Sequence, residues 1–222
     1  MEQPEQPQLP PLIIDGPPWE KKHEIGFFVA FIETIKSFLL HPAKTFSVMR
    51  RVSGIADALV YTLAIQVFTF LWTFAMGGAD PSMLLPQNPE LLDLLQLPDN
   101  ISQIMILIYP LSVILLQFIS AYGFHVAMSW RNQQLYDFSL VFRIFAYATG
   151  TAAILLLIPL VGGLVSLMIS IYLVFVALRT IYGLDLISFL TTSLLAIVIS
   201  LGLYIISALG ISIVVLFISF LI

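Results

Sequence analysis

Cysteine is absent from the chain. Disulfides, thiolate nucleophiles and thiolate metal sites are therefore excluded. Charge is scarce too, with only 10% of residues being Asp, Glu, Lys or Arg. His23, His41 and His125 lie far apart and lack a paired carboxylate at ligand spacing, which argues against a metal site. No G-x-S-x-G, H-E-x-x-H or phosphate-binding glycine loop occurs. Asp57 and Asp185 fall at expected span boundaries, where a solvated charge is a simpler role than acid or base. The chain is read as a non-enzyme without a cofactor. The stretch 1–20 is polar and proline-rich with no basic start, unlike a secretory signal.

What the chain does hold is apolar: 59% of its residues are hydrophobic and its mean hydropathy is +1.01. A soluble domain cannot bury that much apolar surface, so an all-α integral membrane protein is expected. The organising stretch runs from Arg143 to Arg179, with 35 uncharged residues between the two arginines. A bilayer core of about 30 Å takes roughly 20 helical residues, so this length suits two crossings. Pro159, Gly162 and Gly163 interrupt it near the middle, which predicts a helical hairpin with its turn there. Five spans are expected in all, at about 57–76, 101–128, 138–158, 161–180 and 187–209 or beyond. The second is expected to break or bend near Pro110. The uncharged run from Leu186 to Ile222 reads as one tilted or bent helix, or as a span to about Leu209 with a short segment folded back.

Ahead of the spans, residues 1–20 read as a mobile tail and 21–56 as an interfacial segment. Trp19 beside Lys21 and Lys22 suits a membrane–water boundary. From Ile25 to Leu40, Phe28, Phe31, Ile32, Ile35, Phe38 and Leu39 recur at helical spacing, with Glu33, Lys36 and Ser37 opposite. An amphipathic helix lying in the interface fits this pattern. His41-Pro42 ends it and starts a second short helix. A further short helix is expected over Pro89–Leu97.

With five spans, every Lys and Arg falls on one side of the membrane, and the positive-inside rule makes that side cytoplasmic. The C-terminus is then external. Anionic lipid is an expected partner of the basic side. Small pairs four apart, such as Ala146/Gly150 and Ala196/Ser200, suit close helix packing, and less readily a homo-oligomer or protein partner. Nothing suits nucleic acid. Arg143 lies inside its span and is expected to snorkel to the headgroups, with some pairing to Asp137 or Asp185. Tyr147 and Tyr172 are candidates for hydrogen bonds within the bundle. Gln66 and Gln117 fall near mid-membrane and should find partners. One reading bonds them to each other or to a carbonyl freed near Pro110, and the other lines a solute path with Thr149 and Thr151.

Several pieces recur in one known order. They are Pro18-Trp19-Glu20, Ile25-Gly26-Phe27-Phe28, Thr34-Ile35-Lys36, His41-Pro42 with Phe46, and Arg143-Ile144-Phe145-Ala146-Tyr147-Ala148. Ile158-Pro159-Leu160-Val161-Gly162 and Ile171-Tyr172-Leu173 complete the series. In this the chain resembles the bacterial branch of the Yip (Ypt-interacting protein) domain family. The resemblance implies five transmembrane helices and a cytoplasmic N-terminus. Eukaryotic relatives are linked to Rab GTPases and early secretory traffic, with an Asp-Leu-Tyr-Gly-Pro motif in the tail. Here Asp15-Gly16-Pro17-Pro18-Trp19 departs from that motif, which weighs against Rab binding and for a bacterial source. The expected role is a non-enzymatic protein of the bacterial inner membrane that organises membrane or recruits partners. A transporter or channel for a small solute or lipid is the alternative.

Overall fold

The structure, a computed structural model, describes residues 16–50, 54–76, 101–130 and 137–221. Every regular element among them is helical. A 3-10 turn, Pro18–Lys21, leads into α1 (Lys22–Ile25), α2 (Phe27–Leu40) and α3 (Pro42–Ser47). The long helices follow: α4 (Ala56–Ala75), α5 (Ile101–Trp130), α6 (Phe138–Ala153), α7 (Gly162–Tyr182) and α8 (Leu186–Leu221). These five, with α6 extended by its 3-10 turn, are long and apolar enough to cross a membrane. Their bounds follow the expected spans to within a few residues, except at the C-terminal end. The helix foreseen over 89–97 lies outside the described residues.

The bundle is built around α6. Within its crossing window 72% of residues are buried, against 17–39% for the other four. Its sequence explains this. Ala146, Ala148, Gly150, Ala152 and Ala153 make a thin helix that neighbours can approach on several sides. It touches α2, α4, α5 and α7. The partner of α8 is chiefly α5: Gly123 faces Ser200 and the Ala196 carbonyl, so one small pair of the sequence serves that contact. The Ala146/Gly150 pair serves the α4–α6 contact, where the Thr62 hydroxyl donates to the Ala146 carbonyl at 2.8 Å.

Of the alternatives left open for helix continuity, a break at Pro110 and a fold-back after Leu209 are overturned, and the single-helix reading of 186–221 holds. α5 runs through Pro110 without interruption. Proline removes one backbone donor, a loss that a membrane helix tolerates without ending. α8 continues as a single helix of 36 residues, about 54 Å long, so there is no fold-back before Leu221. Neither Gly202 nor Gly210 ends it, since glycine weakens a helix by only about 1 kcal/mol.

The α6–α7 hairpin turns where expected. A 3-10 turn (Ile154–Leu157) closes α6 and α7 opens at Gly162. Between them Leu160 takes φ 66° and is fully exposed. Gly162 is buried, and a Cβ there would overlap the Leu155 carbonyl oxygen and lie 3.1 Å from the Leu156 Cα. Both are backbone atoms that cannot rotate away. Gly163 has nothing within 4 Å of its own Cβ position. Gly162→Leu is therefore expected to cost about 1–3 kcal/mol of stability, read by thermal unfolding in detergent, while Gly163→Leu stays near wild type. Equal responses at the two positions would contradict the close approach.

Candidate functional site

The side chains that stand out are an ion pair sealed inside the bundle. Its two members lie 123 residues apart in the chain. Gly16 holds φ 73° and donates its N–H to the Val48 carbonyl at 3.0 Å. A Cβ at Gly16 would collide with the Glu20 carboxylate, so glycine lets the strand of chain turn in beside it. Pro17 and Pro18 then set the 3-10 turn, whose first position accepts proline at no hydrogen-bond cost. That turn drives Trp19 and Glu20 inward.

The Trp19 ring is fully buried among Phe27 at 5.0 Å, Tyr61 at 5.6 Å and Phe31 at 6.1 Å. Its indole N–H donates to the Asp57 carbonyl at 2.7 Å. Lys22 pairs with the Asp57 carboxylate and lies 5.2 Å from the Trp19 ring centre. The sequence expectation of a half-buried interfacial Trp19 is therefore corrected. The indole faces the protein because Asp57, at the start of α4, offers an acceptor there. The packed chain also begins by Gly16, inside the stretch expected to be mobile; residues 1–15 lie outside the described ones. Phe38, Phe46 and Met49 join the same core as Tyr61 and Tyr147. The segment before α4 is thus part of the bundle.

Arg143 is 0% exposed and the Glu20 side chain 2%. One terminal nitrogen of the guanidinium donates to Glu20 Oε1 and the other to the Arg50 carbonyl. The Tyr147 hydroxyl donates to the same Glu20 Oε1 at 3.2 Å. Arg50 reaches to 4.0 Å from Glu20 Oε2. The expected snorkelling of Arg143 is overturned, as is its pairing with Asp137 or Asp185. A carboxylate is delivered to it inside, so the guanidinium need not climb to the headgroups. Asp137 instead accepts from Ser139 at 3.1 Å, and Asp185 from the Ser188 N–H at 3.2 Å.

Polar links continue inward from the pair. The Tyr147 ring lies 5.3 Å from both Phe38 and Tyr61. The Tyr61 and Thr151 hydroxyls share a hydrogen bond of 2.8 Å. These groups are closed to solvent: Tyr61, Tyr147 and Thr151 are each 0% exposed. As chemistry the arrangement offers a neutralised ion pair and bonded hydroxyls, which suits holding helices in register.

The remaining candidates are placed less centrally. Gln117 is buried, but neither atom of its amide has a hydrogen-bond partner, so it bonds neither Gln66 nor a carbonyl near Pro110. Gln66 is half-buried. Thr151 is held by Tyr61, away from Thr149. Thr149 faces a cavity of about 680 Å³ between α5, α6, α7 and α8, lined by apolar groups such as Phe124 and Phe189 and by several hydroxyls. Thr149, Ser170 and Ser200 donate to backbone carbonyls at 2.7, 2.8 and 3.4 Å. Thr149 and Ser170 thus turn back on their own helices and Ser200 crosses to the Ile119 carbonyl, while the buried Ser193 Oγ has no hydrogen-bond partner, in a cavity whose lining is mostly apolar. Pro159 sits in the hairpin turn and Gly162 at its packed base. Tyr172 is 49% exposed on the outside of α7, and so is not within the bundle as expected. Glu20, and Asp57 read only as a solvated boundary charge, are the site's polar partners that sequence reasoning missed. The signal for Glu20 was an arginine inside an apolar span, which demands a carboxylate from somewhere in the chain.

Comparison with protein-family models, curated proteins and solved structures finds no match for this chain.

Removing one member of a buried ion pair leaves the other uncompensated, at a cost of about 3–5 kcal/mol. Glu20→Leu and Arg143→Met are each expected to lose that much in unfolding measurements. The double variant should recover most of it, and strictly additive losses would show that the two groups do not couple. Gln117→Leu is expected to raise stability by about 1–3 kcal/mol, because it removes a buried amide that gains nothing from burial. A loss on that substitution would mean that the amide has a partner after all.

Proposed function

We propose that the chain is a non-enzymatic integral membrane protein of the Yip type that organises membrane or recruits partners at the cytoplasmic face of a bacterial inner membrane. The observation that carries this reading is α2. Its inward row, Ala30, Thr34 and Phe38, packs on the bundle. Its outward side keeps Phe28 78% exposed, Val29 55% and Ile32 50%, beside an exposed Lys36–Glu33 ion pair of 3.0 Å. A water-facing helix would not hold three large apolar groups out, whereas a helix lying in the headgroup boundary immerses them. Glu33 and Lys36 would cost roughly 2.5–3.5 kcal/mol at a bilayer centre, which disfavours a crossing.

The orientation rests on charge. Lys21, Lys22, Lys36, Lys44 and Arg50 precede α4, and Arg179 lies in the last turn of α7. α3 packs against α7, so these cations share one end of the bundle. The positive-inside rule makes that end cytoplasmic, where anionic lipid is the natural partner. The sealed Glu20–Arg143 pair ties the turn ahead of α2 to α6, and α2 itself packs on α6, so a force on the interface reaches the bundle. The cavity beside Thr149 favours the second reading, a transporter of a lipid or small solute. Its lining is mostly apolar, and Thr149, Ser170 and Ser200 already donate to backbone carbonyls, which ranks that reading lower.

Spin labels at successive positions along α2 in neutral-lipid vesicles are expected to alternate in depth with a helical period. Uniform deep burial would reject the interfacial helix. Single cysteines at 82 and 129 in this cysteine-free chain test orientation. An impermeant reagent added outside should label 82 and spare 129, and the reverse pattern overturns the topology. Reconstituted wild-type protein is expected to change vesicle size, and Phe28→Ser with Ile32→Ser to abolish the change. Solute flux with unaltered vesicles would favour the transporter instead.

A further inference from the structure

A groove of about 760 Å³ lies where α3 meets α7, at the basic end of the bundle. Its rim carries His41, Lys44 and Arg179, and no Asp or Glu lines it. All three rim groups are exposed, and Lys44 and Arg179 form no ion pair among the described residues. Below the rim the lining is Tyr172, Phe175 and Val176. With Arg179 these three sit at positions i, i+3, i+4 and i+7 of one helix, so they make a single face of α7. From Arg179 down to Tyr172 that face descends about 10 Å. It continues onto Ile171 and Met168, which are 52% and 63% exposed on the outside of the bundle.

The groove is also held in shape. The buried Thr45 hydroxyl donates to both the Ser37 and His41 carbonyls at 2.9 Å, locking the corner between α2 and α3. Phe46 packs on Phe38 with ring centres 4.8 Å apart. α3, fixed in this way against α2, packs directly on α7, so Lys44 and Arg179 both stand on packed helices.

We propose that this groove is a binding site for a single anionic phospholipid. The phosphate sits between Lys44 and Arg179 with His41 beside it, and one acyl chain runs down the Tyr172–Phe175–Val176 face. Each half of the site argues for the other. A free anion would use the cations and leave the aromatic face without an occupant. A neutral lipid would cover the face and leave two cations uncompensated. Only an amphiphile with a charged head and an aliphatic body meets both. The head-up, chain-down order matches the lie of α7, with Arg179 in its last turn at the charged end and Tyr172 deeper. The assignment rests on the reading that this end of the bundle faces the cytoplasmic leaflet, and it gives the general attraction of that end for anionic lipid a defined seat.

The test uses purified full-length protein in a neutral detergent, titrated with short-chain phosphatidylglycerol and followed by thermal unfolding. Phosphatidylcholine of the same chains and inorganic phosphate are run in parallel. Phosphatidylglycerol is expected to raise the unfolding temperature, and the other two to leave it near its starting value. Lys44→Gln with Arg179→Gln should weaken the apparent phosphatidylglycerol affinity about 30-fold, since each cation near a membrane surface contributes about a fivefold factor. Lys36→Gln, which removes a cation from the same end outside the groove, should leave the affinity unchanged. An equal loss on Lys36→Gln would mean a diffuse surface potential and would overturn the site. So would unchanged affinity in the double variant. An equal rise with phosphatidylcholine or with phosphate alone would overturn the anionic-lipid assignment. The depth profile of α2, measured in neutral lipid, is independent of all these outcomes, so the site can fail while the wider reading stands.

Discussion

A guanidinium inside an apolar helical bundle must be neutralised where it stands. Arg143 imposes that condition here, and much of the architecture answers it. The carboxylate comes from Glu20, which precedes every span, so the N-terminal segment has to enter the bundle to supply it. Gly16 and the paired prolines make that entry geometrically possible. Trp19 fills the space beside it and ties to α4 through the Asp57 carbonyl. The Arg50 carbonyl and the Tyr147 hydroxyl add two hydrogen bonds to the pair, while Glu20 Oε2 and Arg143 Nε are buried without a hydrogen-bond partner. Burial of this kind is costly in desolvation, so its return lies in register more than in net stability. Few other arrangements of segment against bundle would satisfy both charges.

Two surfaces at the basic end of the bundle stand apart from that closed interior. The outward side of α2 is apolar although it lies beside the cations of the chain. The groove between α3 and α7 is basic above and aromatic below. Both lie at one end of the bundle, and both are held by elements packed on α6 or α7. A closed interior with these two surfaces at one end of the bundle is what the proposed role at a membrane face draws on. The pair at the centre ties the turn that carries Glu20 to α6, which carries Arg143.

The spans were legible because long uncharged runs have one physical meaning in a chain this apolar. The hairpin turn was legible from Pro159 and Gly162, whose backbone properties act locally. The small pairs were legible as packing positions, and Gly150 against Thr62 bears this out. The Glu20–Arg143 pair was not, because its members are 123 residues apart and spacing arguments reach only one helix or one turn. Trp19 misled for a related reason. A tryptophan beside lysines fits a membrane boundary and a capped interior equally well, and the acceptor that decides is a backbone carbonyl, which no sequence pattern marks. Gln117 shows the reverse error: an expectation of pairing at mid-membrane that the packing around α5 does not meet.

The central claim is that residues 16–25 are an integral part of the bundle through Glu20 and Arg143. Hydrogen–deuterium exchange on the protein in lipid nanodiscs addresses it most directly. The Gly16 amide, bonded to the Val48 carbonyl, and the amides of the turn and α1 should exchange slowly in the wild type, and much faster in Arg143→Met while α7 keeps its protection. Exchange of these amides at the rate of a free chain in the wild type would contradict the account.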